Sequence, residues 1–208
     1  INHILASWEG LDTVNFRQKA IRRNTAAERP VPRVVEGLRF AKAHTSRPIK
    51  MAVPGPLTVV DSTYDEAYGN EEALAMDAAA ALNAELLDLQ AAGCDMAQID
   101  EPAMTRLPEK VAAYGAQALD RCLEGVAMPT IVHLCYGYPL GGARQHKYEY
   151  PELLSLLMES RIGGFSVEFG RSNGGLPNPG KSATVGRRSP GPVHGIGARS
   201  LPPRHQGV

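Results

Sequence analysis

Short apolar runs alternate with longer stretches of helical hydrophobic spacing along most of this chain. Runs rich in Val, Ile and Met predict strands, whereas apolar residues three or four positions apart predict helices. The predicted strands cover residues 31–35, 48–53, 96–102, 130–136 and 164–169, and the predicted helices cover residues 36–44, 71–92, 108–124 and 150–161. Because helical crossovers place successive strands side by side in the same direction, this alternation predicts an α/β fold with a parallel sheet.

The clearest predicted helix begins after Asn70 and ends before Gly93. An asparagine side chain can accept a hydrogen bond from the first helical turn, and Glu71 and Glu72 place negative charge where the helix dipole favours it. Glycine readily adopts the backbone conformation that ends a helix, so Gly93 marks the stop. The apolar stripe of this helix consists of Leu74, Ala78, Leu82, Leu86 and Leu89.

A Pro-Gly-Pro sequence at residues 54–56 follows the second predicted strand. Proline cannot donate to a strand ladder, so this sequence predicts that the strand ends in an exposed turn. Residues 58–70 are rich in Asp, Ser, Thr and Tyr and predict a long loop. Loops of that length within a compact domain are usually functional, so we expect this loop to border a binding site.

Chemically versatile side chains gather at the carboxyl ends of the predicted strands. These residues are Asp100 and Glu101, then His133 and Cys135, then Glu168. The catalytic residues of (β/α)8 barrels lie at this edge, whereas a doubly wound sheet usually shows a glycine-rich phosphate loop after a strand. No such loop is present in the sequence, and about five strand–helix units are predicted where the barrel needs eight. We therefore predict an incomplete (β/α)8 TIM-type barrel.

The composition is that of a globular chain, with 43% hydrophobic and 21% charged residues. No apolar run approaches the ~20 residues that cross a bilayer, so no membrane partner is expected. The three cysteines, Cys94, Cys122 and Cys135, are too few for a disulfide framework, and no secretory signal precedes them. Reduced thiols and a cytoplasmic location are therefore predicted.

The formal net charge of zero conceals a compositional division close to residue 169. All 22 acidic residues lie at or before Glu168, whereas 6 of the 22 Lys and Arg residues follow it. An acidic body of this kind is not expected to bind nucleic acid. We predict a partial barrel over residues 1–169 and a disordered or out-of-frame tail over residues 170–208, which are rich in Gly, Pro and Arg. Because the first residue is not Met, we also expect a piece of a longer product.

The spacing of His133 and Cys135 is the first indication of a metal site. The two residues stand two positions apart in one predicted strand, so their side chains point to the same face. Such a pair is often only packed in a core. If a neighbouring strand delivers Glu168 to the same edge, however, nitrogen, sulfur and oxygen donors meet, and this set suits zinc. Three protein ligands and one open position are typical of a catalytic zinc, which can activate a thiol.

Four blocks of sequence, taken in order, resemble the cobalamin-independent methionine synthases and related zinc-dependent thiol alkyltransferases. The blocks are Val-Pro-Gly-Pro-Leu-Thr at 53–58, Ala-Ala-Gly-Cys at 91–94 with Gln-Ile-Asp-Glu-Pro-Ala at 98–103, His-Leu-Cys-Tyr-Gly at 133–137 and Ser-Val-Glu at 166–168. The resemblance implies a (β/α)8 barrel in which His133, Cys135 and Glu168 bind Zn2+. It also implies a methyltransferase in which Asp100 holds the amino group of homocysteine, whose sulfur receives a methyl group from a methyl-folate to give methionine.

Three alternatives stay open at this level. The family's fourth zinc ligand is a downstream cysteine, and no cysteine follows Cys135, so an inactive truncated scaffold fragment is one alternative. A transferase that adds an opened epoxide to a small thiol such as coenzyme M is another, and its sulfonate would require Arg106 or Arg144. Asp100 and Glu101 are also a common loop-capping pattern. Only small-molecule partners are predicted, and the oligomeric state is not.

Overall fold

The computed structural model of this chain describes residues 11–13, 19–21, 33–135, 150–168 and 182–186. Its strands are β1 (Leu11–Thr13), β2 (Lys19–Ile21), β3 (Lys50–Pro54), β4 (Thr63–Asp65), β5 (Met96–Asp100), β6 (Thr130–Leu134), β7 (Gly164–Glu168) and β8 (Ser182–Gly186). Its helices are α1 (Arg33–His44), α2 (Pro56–Ser62), α3 (Glu71–Ala91), α4 (Pro108–Lys110), α5 (Ala116–Cys122) and α6 (Tyr150–Leu157), and a π-helical turn, Val111–Gly115, joins α4 to α5. The predicted alternation of strands and helices is therefore present from β3 to β7.

Two sheets organise the described residues. The larger sheet has the strand order β3-β5-β6-β7-β8, and its first four strands are parallel. The last pair, β7 with β8, is antiparallel. A smaller sheet has the order β1-β2-β4. The parallel run from β3 to β7 agrees with the predicted α/β architecture, since helices connect strands that point in the same direction.

The core lies between one face of the larger sheet and the helices. Alternate residues of the parallel strands point into it, and these are Val53, Ala97, Ile99, Val132, Leu134, Phe165 and Val167. From the helical side it is filled by the stripe of α3, with Leu74, Leu82, Leu86 and Leu89 buried as predicted. The opposite face of the sheet is less covered, since Lys50 and Ala52 of β3 are exposed. This second face carries the polar residues of the candidate site.

The predicted strand over residues 31–35 is wrong from Arg33 onward, where helix α1 begins, and residues 31 and 32 lie outside the described residues. Val35 and Leu38 stand three positions apart and are both buried, which is the spacing of a helical stripe. The β-branched pair Val34 and Val35 favours a strand locally. Packing of the apolar stripe against the core outweighs that local preference.

The predicted loop over residues 58–70 is also wrong in its first half, where the chain forms α2 and β4. Pro56 stands in the first turn of α2, where its missing N–H group is not needed for helical hydrogen bonding. The Pro-Gly-Pro sequence therefore starts a helix. All three of its residues are buried, so the predicted exposed turn is a buried junction between β3 and α2.

The start of α3 confirms the predicted cap. The side-chain oxygen of Asn70 accepts a hydrogen bond from the backbone N–H of Ala73 at 3.0 Å. We expect Asn70→Ala to lower the free energy of unfolding by about 1 kcal/mol, because an N–H group of the first turn loses its partner. Asn70→Asp keeps the acceptor and serves as the control in urea unfolding. Equal stability of the alanine and aspartate variants would contradict this role of the cap.

The region after Glu168 is described only in part. Residues 182–186 form β8, and the other residues of the predicted tail, 170–208, lie outside the described residues. The division near residue 169 and the nature of the tail therefore stay predictions. Within the described part of the chain, no helix is both long and apolar enough to cross a membrane.

Candidate functional site

The carboxyl edge of the parallel sheet brings the predicted site residues onto neighbouring strands. Asp100 ends β5 and lies in register with His133 of β6. Leu134 of β6 lies in register with Val167 of β7, so the backbone of Glu168 reaches the same edge one residue later. The side chain of Glu168 lies outside the described residues. The backbones of Asp100, His133 and Glu168 therefore lie at one edge of the sheet, as the sequence predicted.

The side chains of His133 and Cys135 contact each other at this edge. A hydrogen bond with the Cys135 sulfur raises the pKa of the His133 imidazole, partial burial opposes that shift, and the negative charge of Asp100 adds to it. The hydroxyl of Ser166 on β7 lies 3.4 Å from Nδ1 of His133. A ring nitrogen and a sulfur are thus held together, half-buried, beside a carboxylate.

This pair fits a zinc ion by its chemistry. Imidazole nitrogen and cysteine sulfur are donor types that zinc commonly binds, and the hydrogen bond between the two side chains places them side by side. Among the described side chains, however, no three His, Cys, Asp or Glu residues converge closely enough to hold a metal ion. The assignment of His133, Cys135 and Glu168 as a ligand set stays a prediction.

Asp100 is held by a polar chain that the sequence did not reveal. Nε2 of Gln98 donates to Oδ1 of Asp100 at 2.7 Å, and Nζ of Lys50 donates to Oε1 of Gln98 at 2.5 Å. Gln98 precedes Asp100 by two positions and so shares its face of β5, which is the one signal that the sequence offered. The carboxylate of Asp100 is therefore fixed and half-buried, in register with His133.

Glu101 has a different role from its neighbour Asp100. Its side chain is fully buried and accepts three hydrogen bonds at the start of α2. The backbone N–H of Leu57 donates to Oε1 at 3.0 Å, while the N–H and hydroxyl of Thr58 donate to Oε2 at 2.9 and 2.7 Å. The capping alternative therefore describes Glu101 well, although the capped element is α2. Burial raises the pKa of Glu101 to about 7, and the three donors oppose that rise.

Gly55, in the first of the four sequence blocks, lies directly against Glu101, in the second block. A Cβ atom at this position would overlap with Oε1, Cδ and Cγ of Glu101. The backbone N–H of Gly55 also donates to the carbonyl oxygen of Asp100 at 2.8 Å. The glycine of the first block is thus needed because the carboxyl group of the second block lies against its backbone.

Comparison with known proteins adds three findings. A family model described as "Cobalamin-independent synthase, Catalytic domain" matches residues 16–138. The methionine synthase of Saccharolobus solfataricus is 36% identical over 108 residues, which cover 51% of this chain and 32% of that protein. The methionine synthase of Pyrococcus furiosus is 30% identical over 143 residues, which cover 68% of this chain and 39% of that protein. The chain thus spans about a third of the length of the curated relatives that it matches.

Two solved structures share the fold. A B12-independent methionine synthase from Shewanella sp. W3-18-1, solved in complex with selenomethionine, aligns with a TM-score of 0.71 and 31% identity, covering 83% of this chain and 55% of that one. A B12-independent methionine synthase described as putative, from Listeria monocytogenes, aligns with a TM-score of 0.62 and 18% identity, covering 79% of this chain and 51% of that one. These alignments confirm the predicted incomplete TIM-type barrel.

Proposed function

This chain belongs to the cobalamin-independent methionine synthase family, and we propose that it carries the thiol-activating part of a zinc-dependent methyltransferase. The acceptor would be homocysteine, the donor a methyl-folate and the product methionine. The observation that supports the proposal is the contact of His133 with Cys135 at a strand end in register with Asp100. The Shewanella relative, crystallised with the selenium analogue of methionine, is consistent with an amino-acid product.

Each residue of the site has a role in this proposal. His133, Cys135 and Glu168 would hold Zn2+, which when bound supplies a Lewis acid that lowers the pKa of a coordinated thiol. Asp100 would bind the ammonium group of homocysteine through a charge-assisted hydrogen bond. The hydrogen bond that Gln98 donates to Asp100 keeps this carboxylate oriented. Homocysteine bound to it would then point its sulfur toward His133 and Cys135.

The charge distribution favours homocysteine over coenzyme M as the acceptor. A sulfonate needs a cation, and the Arg106 guanidinium forms an ion pair with Asp61. Arg144, the other candidate, lies outside the described residues. A carboxylate at position 100 would repel a sulfonate, whereas it attracts the ammonium group of an amino acid.

Metal binding by the purified chain tests the proposal and separates it from an inactive scaffold fragment. We expect one zinc ion per chain in equilibrium dialysis, and a loss of at least about 100-fold in affinity for His133→Ala, since one of a few ligands is removed. His44→Ala is the matched control, because His44 is exposed on α1 and bonds only locally to the carbonyl of Phe40 among its described hydrogen bonds. Zinc binding that is absent, or that survives His133→Ala unchanged, would contradict the proposed site.

A further inference from the structure

Three successive carbonyl groups at the end of β6 each accept a hydrogen bond from a different element. The carbonyl oxygen of His133 accepts from the backbone N–H of Glu101 at 2.9 Å, which continues the ladder with β5. The carbonyl oxygen of Leu134 accepts from the Tyr150 hydroxyl at 3.0 Å, and that of Cys135 accepts from the Thr105 hydroxyl at 3.0 Å. The backbone that carries the His-x-Cys pair is therefore tied at every residue.

The two side-chain donors are well placed to hold this backbone firmly. Thr105 is 0% exposed and Tyr150 is 2% exposed, so water cannot easily replace either hydroxyl. Thr105 lies between β5 and α4, and its single hydroxyl proton is shared between the carbonyl oxygens of Cys135 and Pro102, each 3.0 Å from Oγ1. Tyr150 is the first residue of α6. Each donor thus links β6 to a separate part of the core.

Cys135 has particular need of such a tie. Strand β6 ends at Leu134, so Cys135 lies one residue beyond the regular ladder. A residue in that position can shift by fractions of an ångström unless something fixes its carbonyl group. Metal sites are sensitive to such shifts, and groups that only orient the ligands commonly change metal affinity by 10- to 100-fold.

We propose that Thr105 and Tyr150 are positioning residues, whose hydroxyl groups hold the backbone of residues 134–135 so that the side chains of His133 and Cys135 stay aimed at one point. The part of this inference that concerns metal affinity rests on the proposed function. The part that concerns the position of the Cys135 thiol does not.

The first test measures cobalt binding by absorption spectroscopy, with Co2+ replacing zinc as a visible probe. We expect Thr105→Val and Tyr150→Phe to weaken binding by about 10- to 100-fold and to alter the sulfur-to-cobalt charge-transfer band. Thr105→Ser keeps the hydroxyl, so it should bind cobalt with the wild-type affinity and show the wild-type charge-transfer band. The matched controls are Thr63→Val and Tyr114→Phe, whose hydroxyls bind the carbonyl of Val59 and the carboxylate of Glu71.

The second test uses the metal-free chain and gives an answer even if the wild type binds no cobalt. Alkylation by iodoacetamide is followed at each cysteine by mass spectrometry, with the buried Cys94 and Cys122 as internal references. In Thr105→Val the rate at Cys135 should rise about fivefold, because one restraining hydrogen bond is lost. Rates at Cys135 that match the wild type in both Thr105→Val and Tyr150→Phe would overturn the positioning role. Absent cobalt binding in the wild type would overturn the proposed function alone.

Discussion

Gly55→Ala is expected to lower the free energy of unfolding by about 3 kcal/mol or more. The new methyl group would overlap with the carboxyl group of Glu101. That carboxyl group cannot simply swing away, because it is fully buried and accepts three hydrogen bonds from Leu57 and Thr58. Either the buried carboxylate loses its donors, or the junction between β3 and α2 moves apart.

Gly37→Ala is the matched control for this substitution. A Cβ atom at position 37 meets only Cε of Met51, at an ordinary distance of 3.9 Å. Because Gly37 lies inside α1, alanine there should stabilise the chain by up to about 1 kcal/mol. Urea unfolding of both variants measures the difference. A Gly55→Ala variant as stable as the wild type would show that Glu101 does not lie against this backbone.

Adding Glu101→Ala to Gly55→Ala sharpens the test. If the damage comes from overlap between the two residues, the double variant should be clearly more stable than the sum of the two single losses predicts. Additive losses would assign the effect of Gly55→Ala to backbone conformation instead.

Glu101→Gln should remove a large pH dependence from the stability of the chain. Burial raises the pKa of Glu101 from its ordinary value of 4.5 to about 7. The folded chain therefore holds a proton that the unfolded chain releases between these two pH values. The free energy of unfolding should fall by a total of about 3 kcal/mol as the pH rises through this window. Above pH 7 it should level off.

The measurement is the difference in free energy of unfolding between wild type and Glu101→Gln at several pH values from 4 to 8. This difference isolates the titration of Glu101, because other groups, including His133, titrate in both proteins. Glu159→Gln is the control, since Glu159 is exposed near the end of α6. A wild-type curve parallel to that of Glu101→Gln would mean that the carboxylate stays ionised through the window.

Elements whose signals are local could be predicted from sequence. The start of α3 is one, because the Asn70 cap and its partner Ala73 lie three residues apart. The strand that carries His133 is another, because its apolar run from Thr130 to Leu134 lies within one short segment of sequence. Even the register of Asp100 with His133 follows the expectation for neighbouring parallel strands that end at one edge.

Features that depend on distant partners could not be predicted. The start of α2 looked like an exposed turn because its capping group, Glu101, lies more than 40 residues further along the chain. The hydroxyl groups of Thr105 and Tyr150 carry no sequence signal that points to β6. A threonine in a turn and a tyrosine at a helix start are common, and only packing shows what each one touches.

Because β8 runs antiparallel to β7, the segment that connects these two strands starts and finishes at the edge that carries the site. Ser182 pairs with Glu168 at the edge that carries the site, and Gly186 pairs with Gly164 at the far edge. Residues 169–181, which precede β8, contain no Cys, His, Asp or Glu. This connecting segment therefore offers no side chain of the types that zinc prefers as ligands, although both of its ends lie at that edge.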